Sequence, residues 1–327
     1  MGRGRGRANC RRAPCKSDIG AALAWDGAVG VSFVLTVFDK RPFLPLVLPA
    51  ILAEWRLTGG EIILVDDGSA DGSAALLADF AAANPAVRLL RQRNAGVASA
   101  TNAGLAAAAW PLVRLLDADD VPMPRSTQRL REALEALGAD LAYGGVLPYR
   151  LGQPLPAVRE EAAAWHLVPR PLRAVLTNNE IVPSTTLIRR AALGAVLPLV
   201  EGIRTAQDFQ LAARLAQRGG VARLEGAPVC WFAAEAAGRL SASVGRMYAD
   251  TCRLVGQHLD GPFALPAAEA QFAARRNAAR ARRFARRHLR LGWRRRLDLE
   301  WLAWRSRLPF YRPCRADLAF LAGLYGE

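Results

Sequence analysis

The stretch Glu61–Leu90, EIILVDDGSADGSAALLADFAAANPAVRLL, decides the fold. Its apolar run over 61–65 stops abruptly at Asp66-Asp67-Gly68-Ser69. An Ala- and Leu-rich segment over 73–83 predicts a helix, and VRLL over 87–90 predicts a second strand. Short, continuously apolar strands of this kind suit a parallel sheet buried on both faces. Working outward, the spacing predicts strands over 31–38, 111–116 and 140–145, with helices over 43–55, 97–109 and 125–137. Pro49 is predicted to kink the first helix. Repeated β-α-β order means an α/β fold with right-handed crossovers, whose ligands collect at the carboxyl ends of the strands. Three polar strand ends, Thr36–Asp39, Asp66–Ser69 and Asp117–Asp120, are therefore expected along one edge.

After residue 145 the pattern changes. A Pro-rich stretch leads to a helix, a strand over 184–189, and a further helix with Phe209, Leu211, Ala212 and Leu215 on one face. From Ala267 onward the chain is helical and densely basic. The expected organisation is a disordered basic tail over 1–28, a catalytic domain over 29–250 and a helical extension over 251–327.

The 327 residues carry a net charge of +15 that rests on arginine, since Lys16 and Lys40 are the only lysines. Five scattered cysteines without a Cys-x-x-Cys pair, and three isolated histidines, exclude a disulfide framework and a zinc centre. No apolar run reaches the roughly 18 residues of a membrane-spanning helix. These features lead to an expected cytoplasmic location, peripheral on the inner face of the membrane.

Five motifs in order, TVFDK, VDDGS, NAGVASATNAG, LDADD and QDFQLAARL, resemble those of the family 2 glycosyltransferases. That family is inverting and has the GT-A fold: a mostly parallel central sheet flanked by helices, here with a basic helical C-terminal extension. The resemblance implies a nucleotide pocket of Thr36, Phe38, Asp67, Asn94, Gly96 and Asp117. Phe38 would stack on the base, or else is simply the last core residue of its strand. Asp67 would accept the imide hydrogen of uracil, so the expected donor is a UDP-sugar. Asn94 is expected to tolerate a left-handed turn conformation, and Gly96 to permit close backbone approach. Relatives often carry a basic residue where Thr101 stands, and Arg91 and Arg93 are candidate substitutes.

In RLLDADDVPMP, the resemblance makes Asp119 the ligand of Mg²⁺ or Mn²⁺. Asp117 would hold the ribose or assist the metal, and Asp120 is expected to start the next helix. Mg²⁺ commonly takes one or two carboxylates plus substrate phosphates, which suits a leaving diphosphate. Asp208 matches the general base. Its usual acidic neighbour is replaced by Gln207, which predicts a lowered Asp208 pKa through relief of like-charge repulsion. CWFAAEAAGRLS, after the last core strand, lacks the histidine many relatives place there.

Leu289, Trp293, Leu297, Trp301, Trp304 and Leu308 recur at helical spacing beside a cationic face. Two readings follow: residues 266–308 rest on an anionic membrane, or the stripe docks on the catalytic domain. Charge alone permits nucleic acid, but no recognised nucleic-acid motif supports it. The leading function is metal-dependent transfer of a sugar from a nucleoside diphosphate to a glycan or lipid-linked acceptor. The alternatives are a sugar-phosphate nucleotidyltransferase, whose Gly-rich phosphate loop is missing, and a degenerate fold serving as a membrane-associated binding protein.

Overall fold

The computed structural model describes residues 30–158, 163–203, 205–234 and 244–325, together with the backbone of 11–12. The expected tail over 1–28 otherwise lies outside the described residues. Strands are β1 (Arg11–Arg12), β2 (Val31–Val37), β3 (Gly60–Asp66), β4 (Val87–Arg91), β5 (Leu112–Asp117), β6 (Val121–Pro122), β7 (Leu141–Tyr149), β8 (Ala164–Leu167), β9 (Thr186–Arg189) and β10 (Val221–Ala233). Helices are α1 (Leu44–Thr58), α2 (Ser73–Ala83), α3 (Val97–Ala107), α4 (Ser126–Leu137), α5 (Pro171–Thr177), α6 (Arg190–Gly194), α7 (Gln207–Ala216), α8 (Val244–Gln257), α9 (Ala267–His288), α10 (Trp293–Arg305) and α11 (Arg315–Gly323).

The sheet runs β1-β8-β10-β7-β9-β5-β2-β3-β4. Strands β4, β3, β2 and β5 are mutually parallel, as the apolar runs predict. β9 is antiparallel to both β5 and β7, so it reverses direction between strands that share one. β10 continues parallel to β7 through two register shifts around Pro228. The central strands are buried on both sides, with Val31, Phe33, Val34, Leu35, Ile62 and Leu64 closed to solvent. Helix α3 lies so close to the sheet that a Cβ on Gly104 would sit 2.4 Å from Val34 Cγ1.

Three local features add to what the sequence predicts. α1 continues unbroken through Pro49, which is exposed, so the carbonyl it leaves unbonded can turn to water. α7 is not a one-faced helix: everything from Phe209 to Ala216 is buried, including Arg214. Arg214 donates to the Val196 and Pro198 carbonyls at 2.7 and 2.6 Å, and burial lowers its pKa to about 10. The boundary expected at residue 250 falls inside α8, whose Asp250 accepts from Thr205 N and Oγ1 at 3.1 and 2.7 Å.

Helices α8–α11 share one hydrophobic cluster with α5 and α7. α9 packs through alanines 270, 273, 274, 278, 281 and 285. Arg173 of α5 clamps Glu269 of α9 with two bonds of 2.6 and 2.8 Å, and its guanidinium lies over Phe272. α10 buries Leu299, Leu302 and Ala303, while Trp293, Leu297, Trp301 and Trp304 face solvent. Docking of the stripe on the catalytic domain is therefore overturned for these four side chains, because Leu299, Leu302 and Ala303 on the opposite side of α10 make that contact, whereas Leu289 of the stripe does pack against the cluster. Among the described residues no helix is long and apolar enough to cross a membrane.

Candidate active site

Register brings the three polar strand ends together. Thr36 pairs with Asp117 across β2–β5, and Val37 with Asp66 across β2–β3. Beyond them the β2–α1 turn is tied to the β3–α2 turn. Asp39 Oδ1 accepts from Ala70 N and Asp71 N at 2.8 and 3.3 Å, Lys40 N donates to Ser73 Oγ at 3.0 Å, and Arg41 N to Asp71 Oδ2 at 2.9 Å. Asp39 sits at φ 49°, a conformation that Asp and Asn tolerate better than other side chains. Phe38 is 45% exposed at this edge, so it is not the last core residue of its strand.

Asp67 is buried, and its carboxylate holds the loop before α3. It accepts from Gln92 Nε2 at 2.8 Å, Ala95 N at 2.9 Å and Gly96 N at 2.9 Å. A carboxylate has about four acceptor positions, so these three bonds leave one over. The left-handed conformation falls on Gly68 and Gly96 at φ 78° and 93°, and not on Asn94. A Cβ on Gly96 would meet nothing within 4 Å, so dihedral freedom rather than close packing requires this glycine. Thr101 is buried in α3, and Arg91 pairs with Asp66 at 3.3 Å.

The Asp117–Asp120 segment closes a tight turn, with Asp120 N donating to Asp117 O at 3.1 Å. Asp117 N donates to Ser184 Oγ at 3.0 Å, and Tyr149 Oη to Asp119 O at 2.7 Å. Burial raises the Asp117 pKa well above the usual carboxylate range, and the charges of Asp120, Asp119 and Asp208 push the same way against Lys40. Lys40 Nζ lies 2.7 Å from Asp119 Oδ2, both side chains being largely buried. Asp120 does not start the next helix. Residues 121–122 form β6 against β10, Asp120 Oδ1 accepts from Ala233 N at 3.3 Å, and α4 begins at Ser126. Glu54 of α1 serves that helix end instead, accepting from Arg125 N at 2.6 Å, Thr127 N at 2.8 Å and Thr127 Oγ1 at 2.6 Å.

Asp208 stands in the first turn of α7, where its carboxylate accepts from Asn179 Nδ2 at 3.1 Å. The expected lowering of its pKa is reversed. Desolvation raises it, and the hydrogen bonds only partly offset that effect. The turn before it is strained, with Ala206 at φ 67°, and Asp250 anchors the neighbouring Thr205. An open groove of about 700 Å³ lined by Tyr143, Glu180, Val182, Arg223 and Phe232 shares Val182 with the wall behind Asp208.

The profile of the family described as Glycosyl transferase family 2 matches residues 32–196, half of the chain. The chain belongs to glycosyl transferase family 2. Among curated proteins it is 29% identical over 211 residues to the succinoglycan biosynthesis protein ExoO of Rhizobium meliloti, covering 62% of this chain and 60% of that one. It is 32% identical over 115 residues to the uncharacterized glycosyltransferase EpsJ of Bacillus subtilis, covering 35% and 33%. Over 112 residues it is 41% identical to the undecaprenyl-phosphate 4-deoxy-4-formamido-L-arabinose transferase of Pectobacterium carotovorum, covering 33% and 34%. The chain thus spans between a third and three-fifths of the length of these relatives. Its fold is of the GT-A type: S. aureus TarS 1–349 in complex with UDP superposes with TM-score 0.60 at 15% identity, covering 85% of this chain and 81% of TarS.

In this chain Thr36 lies opposite Asp117, Asp119 follows in the same turn, and Asp117 N is bonded to Ser184, whose neighbours Val182 and Pro183 line one wall with Asp208. Phe38 and Asp67 each stand one residue past the ends of β2 and β3, and Asn94 is exposed on the adjoining loop. Reasoning from sequence missed Lys40, Tyr149, Asn179 and Ser184. Lys40 stood inside the TVFDK motif; the other three carry no local signal. Part of CWFAAEAAGRLS, residues 235–241, lies outside the described residues. The acid cluster suits a divalent cation shared with substrate phosphates. Its negative charge is opposed by Lys40 alone in the balance at Asp117, yet among the described residues no group of three or more ligands surrounds one ion centre. One or two carboxylates with phosphates completing the shell match what Mg²⁺ takes beside nucleotides.

Proposed function

We propose that this glycosyltransferase moves a sugar from a nucleoside diphosphate, UDP by preference, to an acceptor hydroxyl with inversion at the anomeric carbon. The observation that carries the reading is the segment 182–184, which lines one wall with Asp208 through Val182 and Pro183 and accepts from Asp117 N through Ser184 Oγ, so that Asp208 and the Asp117–Asp120 turn flank it from two sides. Asp208 takes the proton of the acceptor hydroxyl as that oxygen bonds to the anomeric carbon. On the opposite face the bond from that carbon to the diphosphate breaks, and its electron pair leaves with the phosphate oxygen. Desolvation makes Asp208 a stronger base than an exposed aspartate. Asp119 and Asp117 would hold Mg²⁺ or Mn²⁺, which neutralises charge on the leaving diphosphate. Lys40 now holds Asp119 Oδ2, the oxygen that such an ion would take from it.

Support for UDP comes from the remaining acceptor position of Asp67 and from TarS, which has been crystallised with UDP and with UDP-GlcNAc. Support for a lipid-linked or polysaccharide acceptor comes from the names of the relatives. The groove beside Val182 is the acceptor side of this reading.

A panel of nucleotide sugars assayed with Asp208→Asn tests it. The variant should lose about 10²–10⁴ in transfer rate while UDP binding by calorimetry persists. Unchanged turnover removes Asp208 from the mechanism. Metal-dependent UDP binding in a wild-type protein that transfers no sugar would favour the non-enzymatic alternative that Gln207 raises.

A further inference from the structure

Helix α10 has two unlike faces. Leu299, Leu302 and Ala303 are buried, whereas Trp293, Leu297, Trp301 and Trp304 are 69, 60, 57 and 52% exposed. At about 100° per residue, these four side chains fall within an arc of about 80°. The rings of Trp301 and Trp304 stack with centroids 4.9 Å apart, and Phe310, 78% exposed, follows in the next turn. Exposed apolar area of this extent on one helix face marks an interaction surface.

Charge says what it meets. Between Arg282 and Arg307 stand ten arginines against Asp298 and Glu300, and Glu300 is already held by Arg282 at 2.9 Å and Arg286 at 3.4 Å. The same angular count sets Arg294 on one side of the stripe and Arg296 on the other. The Arg294 guanidinium lies 5.2 Å from the Trp293 ring centre. A second copy of this face would bring two arginine-rich surfaces together, so charge disfavours self-association there. Indole rings prefer the boundary between headgroups and acyl chains, and arginines prefer anionic headgroups.

We propose that the Trp293–Trp304 face of α10 docks the protein on an anionic lipid bilayer, with the indoles entering the headgroup layer between flanking arginines. This rests on α10 alone and not on the sugar-transfer reading.

Co-sedimentation of the full chain with phosphatidylcholine vesicles, with and without phosphatidylglycerol, tests it. The protein should pellet with the anionic vesicles, weakly with the neutral ones, and less as salt rises. Trp301→Ala/Trp304→Ala should lower the partition coefficient at least tenfold, and Arg294→Gln/Arg296→Gln several-fold, each arginine near the surface contributing up to about fivefold. Both variants should keep the wild-type melting temperature and UDP binding, because the altered side chains are exposed and lie on α10. Equal pelleting of the tryptophan variant, equal pelleting with neutral vesicles, or none with either would overturn the proposal. So would a concentration-dependent dimer abolished by the tryptophan substitutions, which would assign the face to a second copy.

Discussion

Glu54→Ala should destabilise the protein by about 3–5 kcal/mol, the usual cost of breaking a buried ion pair from one side. Glu54 is 2% exposed, and one carboxylate serves the amino end of α4 and the guanidinium of Arg114, fully buried at 3.9 Å. Removing it leaves Arg125 N and Thr127 N without their acceptor, and strands a charge whose other contacts are Thr127 Oγ1 at 2.7 Å and Val229 O at 3.3 Å. The lost helix cap alone is worth about 1–2 kcal/mol, but it belongs to the same carboxylate and does not add in full. Against a total stability of roughly 5–15 kcal/mol this is a large fraction. Urea denaturation should show a lower midpoint with an unchanged slope. Adding Arg114→Met removes the stranded charge, so the double variant should recover part of the loss. A shift below about 1 kcal/mol for Glu54→Ala, or simple additivity in the cycle, would refute the reasoning. Arg114 lies three residues before Asp117 on β5, so UDP affinity should weaken with stability.

Three further outcomes follow from the site. Because desolvation raises the Asp208 pKa, the acid limb of kcat/KM should lie above the ordinary value of 3.8, with activity falling as pH drops through it. Asn179→Ala removes a hydrogen bond that favours the ionised form, so the limb should move further up; a downward move in the pH profile would contradict this role. Lys40→Met frees Asp119 Oδ2, so calorimetry should show tighter Mn²⁺ binding. The expected gain is up to about fivefold, since an ion pair near the surface is worth up to about 1 kcal/mol. Weaker Mn²⁺ binding in that variant would show that Lys40 assists the ion rather than competing with it.

The parallel half of the sheet was legible because buried strands read as unbroken apolar runs and their ends as Asp, Gly and Ser. The site was legible to the same degree, since Thr36, Asp117 and Asp67 stand at those strand ends. β9 was seen as a strand, but its place was not: pairing between β5 and β7 is a non-local choice that four residues of sequence do not encode. The helix-start role expected of Asp120 falls to Glu54 for a similar reason. Local spacing offers a helix-start role to any nearby acid, whereas the acceptor that serves α4 arrives from α1. The direction of the Asp208 pKa was misread because the lost neighbour at Gln207 is visible in sequence and the desolvating walls are not. Helical spacing revealed the Trp293–Trp304 stripe, but only packing decides which side of α10 touches protein.

The pairing of Lys40 with Asp119 makes the site chemically addressable. With lysine confined to positions 16 and 40, an amine-reactive reagent meets very few competing side chains in this arginine-rich protein. While its ammonium is held at 2.7 Å by a carboxylate and largely buried, Lys40 should acylate slowly. A cation that takes Asp119 would release it, and a bound diphosphate would shield it again. Mass-spectrometric labelling at Lys40, with Lys16 as the internal reference, would then read the loading state of the pocket without any need to know the sugar.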